Sequence, residues 1–133
     1  MPTPRFIRKQ NSSVLSWGGI ELDASACKIS RMGRHSRLTP KDFALLQLLM
    51  SHIGVEFSRE VIIARIWGSR SDVDVRTVDV MIARVRRALN KGFLSDPIRS
   101  VRGFGYKIDE TFDNIRTKPL PIRKRKLQPA GPS

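Results

Sequence analysis

Cysteine is nearly absent. The 133 residues hold one, Cys27, which excludes an internal disulfide and any zinc site built on cysteine pairs. Lying in a strand-like run, Cys27 reads as a small buried apolar residue. The histidines, His35 and His52, stand too far apart for metal-ligand spacing, so no metal is expected. No apolar run approaches the roughly 18 residues of a membrane-spanning helix. The start, Met1–Pro2–Thr3–Pro4–Arg5, has no signal-peptide apolar stretch. These absences predict a cytoplasmic chain with no membrane partner. Catalytic groupings are missing too: there is no paired-carboxylate cleft, nucleophile–base set or phosphate-cradling glycine loop, so neither an enzyme nor a cofactor is expected. Negative charge is scarce as well. Twelve Asp+Glu face 25 Lys+Arg, a formal net charge of +13 and a pI of about 11.2. Such an excess points to nucleic acid first and an anionic membrane surface second.

What is present centres on the stretch from Arg76 to Leu89. At 3.6 residues per turn, Val78, Ile82, Val85 and Leu89 fall on one apolar stripe. The opposite side carries Arg76, Val80, Arg84, Arg87 and Lys91, with Thr77 and Ala83 at its edges. Such a front suits the major groove, where arginine grips guanine or phosphate and small side chains meet thymine methyls. Taken alone, the helix fits a solvated basic surface equally well.

The rest of the chain supplies a setting. Residues 1–11 are polar, basic and contain two prolines, and read as a flexible arm or linker. Short strand-like runs follow at Val14–Trp17, Ile20–Asp23, Cys27–Arg31 and His35–Leu38, separated by turn residues; together they predict an antiparallel meander. Thr39, Pro40 and Asp42 form a T-x-x-D helix start. Phe43, Leu46, Leu49, Met50 and Ile53 continue at helical spacing, with Gly54 placed to end that helix. Val55–Glu56–Phe57 reads as a connection. Ser58 caps a second helix from Arg59 to Trp67, stopped by Gly68. After the third helix, Ile98–Arg102 and Tyr106–Ile108 read as two strands joined through Gly103–Phe104–Gly105. A hairpin with an arginine at its turn, directly after a basic-faced helix, is the outline of a winged helix-turn-helix. Residues 12–108 thus form one domain, and residues 109–133 a disordered basic tail.

Four segments carry a family resemblance: Leu38–Leu46, Ile66–Trp67–Gly68, Arg76–Val80 and Val101–Tyr106. In one register from about Val14 to Ile108, the chain resembles the DNA-binding effector domain of bacterial OmpR/PhoB response regulators. The resemblance implies an α+β fold with a four-stranded N-terminal sheet, three helices and a C-terminal wing hairpin. It implies base contacts from Thr77, Asp79, Val80 and Arg84. It places Arg76, Arg86, Arg87, Ser100, Arg102 and Tyr106 at the DNA backbone or, for Arg102, in the minor groove. The loop 68–75 aligns with a segment some members use on RNA polymerase, making Trp67, Asp72 and Val73 candidate contacts. Two copies are expected head to tail on DNA, and the protein is expected at the nucleoid.

Each assignment has a structural competitor. Trp67 suits core packing, Tyr106 can fill space beneath the wing, and Asp79 can pair with Arg76 or Arg86. Arg84 and Arg102 are the strongest functional candidates, since no folding requirement is evident for an arginine at either place. The chain departs from the family pattern at Met81 and Ala83, where polar or basic residues are usual, and at Val75, which shifts the helix cap to Asp74. No receiver domain precedes the winged helix, which fits either the effector part of a regulator or a stand-alone effector. Two other binding classes stay open: a low-specificity DNA binder, and an adaptor that contacts protein through Asp72–Val73–Asp74.

Overall fold

The computed structural model describes residues 7–8 and 14–112. Strands β1 (Ile7–Arg8), β2 (Val14–Trp17), β3 (Ile20–Asp23), β4 (Lys28–Arg31) and β5 (Arg34–Arg37) form an antiparallel sheet in chain order. Side chains alternate across it. Leu15, Trp17, Ile20, Leu22, Ile29 and Arg31 turn inward, while β5 buries nothing and closes the edge. The four expected strands are thus present, the fourth at Arg34–Arg37 rather than His35–Leu38, with two further differences. The two-residue β1 pairs Ile7 with Ser16 and Arg8 with Leu15, so the expected arm adds a strand to the sheet. Cys27 is not in β4 but in the turn before it, half-buried, with φ 51°; its carbonyl accepts from Leu38 N at 3.0 Å.

Helix α1 (Pro40–Met50) starts as expected: Thr39 is extended and its side chain accepts from Asp42 N at 3.2 Å. Phe43, Leu45, Leu46, Leu49 and Met50 are buried, making this helix the centre of the core. It ends earlier than expected. Ser51 caps it, and the chain turns through Gly54, at φ 81°, whose N–H donates to Ile108 O. Helix α2 (Arg59–Trp67) begins at Ser58, whose hydroxyl accepts from Val61 N at 3.1 Å.

Phe57–Ser58, expected to be connection and cap alone, forms a strand, β6. It pairs with β8 (Gly105–Ile108), which pairs with β7 (Ile98–Val101), so the wing is a three-stranded sheet in the order β6-β8-β7. Gly105 makes this possible. A Cβ there would stand 1.9 Å from the carbonyl oxygen of Phe57, so only glycine lets β6 approach. Gly103, at φ 70°, forms the turn.

Helix α3 (Arg76–Leu89) buries Val78, Ile82, Val85 and Leu89 as the periodicity predicts, and also Met81. Met81 therefore replaces no polar base reader; it is a core residue. The packed fold runs past Ile108: Asp109 N donates to Pro97 O at 2.8 Å, and the Phe112 ring lies 6.0 Å from that of Trp17. The remainder of the expected arm and tail lies outside the described residues.

Candidate nucleic-acid interface

The N-terminus of α3 is held by a cap one residue outside the expected family position. Val75 offers no side-chain acceptor, and Asp74 Oδ1 takes Arg76 N at 2.9 Å. Arg76 also reaches Asp74 Oδ2 at 3.3 Å, and these bonds from Arg76 hold the Asp74 carboxyl below its ordinary range. From this start the outward face runs Arg76, Val80, Ala83, Arg84, Arg87, all exposed, with Thr77 half-buried at its edge. The stripe of apolar side chains behind it fixes that orientation.

Arg84 is not free. Its Nε lies 2.7 Å from Asp42 Oδ2 and its Nη2 3.0 Å from Asp42 Oδ1. Asp42 is 1% exposed at the start of α1. A folding requirement for an arginine at 84 therefore exists, contrary to the sequence reading: a buried carboxylate needs it. The hydrogen bond to Asp42 raises the Arg84 pKa against a smaller opposing effect of burial. The carboxylate a capping box would turn back to Thr39 serves α3 instead.

Asp79 is also committed, though to neither Arg76 nor Arg86. Arg59 Nε donates to its Oδ1 at 2.8 Å, and Tyr106 Oη donates to the same oxygen at 2.5 Å. The Arg59 guanidinium sits 5.3 Å from the Tyr106 ring centre. Burial raises the Asp79 pKa, but the bonds from Tyr106 and Arg59 together outweigh it and leave the carboxyl below its ordinary range. Burial, with the Asp79 bond, pushes the Tyr106 phenol up. The cluster joins the first residue of α2, the first turn of α3 and the wing strand β8. Tyr106 is buried beneath the wing, so its hydroxyl braces the site.

Arg86 ties α3 to β7. Its Nη2 donates to Ile98 O at 3.0 Å and reaches Ser100 Oγ at 3.4 Å. Its Nε lies 2.7 Å from Asp96 Oδ2 but is not aimed at an acceptor, so that contact is a charge pairing without an aligned hydrogen bond. Arg86 and Ser100 thus bind each other across the wing base. Arg102, at the exposed wing turn beside Phe104, has no ion pair among the described residues. Neither has Arg87.

The loop after α2 presents Asp72 to solvent, while Val73 is half-buried against the core. Trp67 also packs there, with Lys41 Nζ 5.2 Å from its ring centre.

Sequence reasoning missed three supports of the interface: Asp42, Arg59 and Arg31. Arg31 is 1% exposed. It donates to Leu89 O at 3.3 Å, Asn90 Oδ1 at 2.8 Å and Ser95 Oγ at 2.6 Å, and stacks 4.1 Å from the Phe93 ring centre. Burial lowers its pKa, partly offset by Asp96. It closes the carboxyl end of α3, where orphan carbonyls and the helix dipole favour a cation. The period-2 alternation that turns Ile29 inward does the same for Arg31, so a signal was available.

Three helices with a stranded wing behind the third, and cations along the third helix and the wing turn, define a winged helix-turn-helix domain. Residues 33–108 match the family described as "Transcriptional regulatory protein, C terminal", and the chain belongs to that family, the OmpR/PhoB-type effector domains. It is 45% identical over 98 residues to the phosphate regulon transcriptional regulatory protein PhoB of Rhizobium meliloti, covering 74% of this chain and 43% of that protein. Among solved structures it is similar to the DNA-binding domain of Bacillus subtilis CssR, with 30% identity, TM-score 0.59 and coverage of 67% of this chain and 98% of that one. It is also similar to the DNA-binding domain of CpxR from E. coli, with 28% identity, TM-score 0.60 and coverage of 72% and 95%. The chain spans less than half the length of the curated relatives it matches. Among the described residues no helix is long and apolar enough to cross a membrane.

Proposed function

We propose that this chain binds double-stranded DNA at specific sequences and regulates transcription, as the effector part or stand-alone relative of a two-component response regulator. The observation that carries this reading is the outer face of α3, where Val80, Ala83, Arg84 and Arg87 are exposed together among the described residues, with Thr77 half-buried at its edge. On DNA this face lies in the major groove, with Thr77, Val80 and Arg84 at base edges. Arg76 and Arg87 meet phosphates, and Arg102 enters the adjacent minor groove. Asp79, Arg86, Ser100 and Tyr106 act mainly by holding helix and wing at one angle. Asp79 Oδ2, which has no hydrogen bond among the described residues, is left for a cytosine amine, and the exposed Ser100 lines the approach of the backbone with Tyr106 buried behind it.

One such helix covers too few base pairs for useful specificity. We therefore expect two copies head to tail, about one helical turn apart. The exposed Asp72 and the groove of about 190 Å³ between α2 and the following loop, lined by Ile63, Val73 and Val75, support the loop 68–75 as the contact to RNA polymerase, with Trp67 as its base. The protein then works at the nucleoid.

The test is selection of duplexes from a random pool with the full chain. Recovery of a repeated half-site is expected. Binding without an enriched motif would favour a low-specificity DNA protein, and no binding at all would favour a protein adaptor.

A further inference from the structure

Beside α3 runs a cationic groove that shares Arg84 and Arg87 with the interface above and adds cations that interface does not use. A groove of about 500 Å³ lies between the sheet edge and the carboxyl half of α3, lined by Arg37, Thr39, Asp42, Arg84, Arg87 and Lys91, among others. Its walls are fixed to each other: Ser36 Oγ donates to Ala88 O at 3.2 Å, joining β5 to α3. Arg34 continues the row, its guanidinium lying where a Cβ on Gly92 would be 3.2 Å away.

The charge in this groove is one-sided. Arg37, Arg87 and Lys91 are exposed, and none has an ion pair among the described residues. The single carboxylate on its lining, Asp42, is already bound by Arg84. Helix termination does not account for these cations. Arg31 already satisfies the carbonyl of Leu89 and the side chain of Asn90, and Arg37 belongs to the sheet edge. Unneutralised cations lining one groove repel one another, and an anion relieves the repulsion.

We infer that the β5–α3 groove is a phosphate-binding track for the DNA strand flanking the major groove, with Arg37 and Lys91 as its ligands. The groove and the base-reading face share Arg84 and Arg87, so one duplex reaches both without rotation of the protein. A rod of phosphates at regular spacing matches a row of cations better than any single small anion does. The inference rests on the proposed DNA binding and adds contacts that carry no sequence information.

The experiment uses the full chain and the duplex it selects from a random pool. Affinity is measured against salt for wild type, Arg37→Ala, Lys91→Ala and the double variant, on the selected and on an unrelated duplex. All three variants should keep the wild-type melting temperature and selected motif, because both side chains are exposed. Each single change should reduce the magnitude of the slope of log affinity against log salt by about 0.9, and the double change by about 1.8, equally on both duplexes. Neutral methylphosphonates in the flanking strand of the duplex should abolish the difference between wild type and double variant. Wild-type slope and affinity in the double variant, with wild type still binding its motif, would overturn the track and leave the proposed function standing. Absence of any duplex binding by wild type would instead remove the reading on which it rests.

Discussion

Arg84 grips Asp42 side-on, through Nε and Nη2 at 2.7 and 3.0 Å. Among the described residues that mode leaves the outer edge of the guanidinium, Nη1 and the second Nη2 proton, without a partner. A guanine O6/N7 pair is recognised by such an edge. One residue can therefore serve the fold and the base at once, with a buried carboxylate aiming it.

Arg84→Ala should cost stability as well as recognition. It strands a carboxylate whose side chain is 2% exposed, whereas Arg84 itself is 44% exposed, so water partly fills the gap. The expected loss is about 1–3 kcal/mol in urea unfolding. Asp42→Asn should lose less, and the double variant less than the sum of the two. Additive losses would mean that the pair contributes nothing.

Recognition is separable from that stability effect. Arg84→Ala should lose roughly 1–3 kcal/mol on the selected site and little on unrelated DNA. Asp42→Asn, which keeps the arginine but loosens its aim, should blur the same one or two motif positions without changing the salt slope. An unchanged motif from Arg84→Ala would remove this residue from the base readers.

Arg102→Ala should act differently. Its loss should weaken A/T-flanked sites most and keep the major-groove motif, because a narrow minor groove attracts the guanidinium through its potential. Equal weakening on A/T and G/C flanks, measured by titration of matched duplexes, would make Arg102 a plain phosphate contact.

The Asp79 cluster sets a pH dependence. The folded pKa of Asp79 is depressed, so its contribution to stability is complete above the unfolded value of about 3.9 and is lost as pH falls through the folded one. Asp109, depressed mainly by its bonds from Thr111, adds to the same acid limb. Tyr106 is raised: its contribution is complete below the unfolded value of about 10 and is lost as pH rises through the folded one. Thermal melts from pH 2 to 11 should fall at both ends. Tyr106→Phe should flatten the alkaline limb, and an unaltered limb would locate that titration elsewhere.

Gly105→Ala should be among the most damaging single changes, since its Cβ meets Phe57 O at 1.9 Å. Separating β6 from β8 should cost about 1–3 kcal/mol or more. Arg102-dependent binding should fail with it, which a melt and a duplex titration would report together.

Periodicity and turn chemistry in the chain determined the winged-helix plan: the apolar stripe of α3, the Thr39 and Ser58 caps, the meander and the wing. These are local properties, carried by residues a few positions apart. The exposed row on α3 was legible for the same reason, as the complement of its buried stripe. Tertiary structure alone decided what each charged residue does. Asp42 meets Arg84, Arg59 meets Asp79 and Tyr106, and Arg31 meets the end of α3, in each case across 20 to 59 positions. No periodicity encodes such pairings. They arise because a carboxylate or guanidinium taken out of water must find a partner among whatever the packed helices bring near. That requirement, rather than any local pattern, divides the cations held in ion pairs across the fold from those left exposed without one among the described residues.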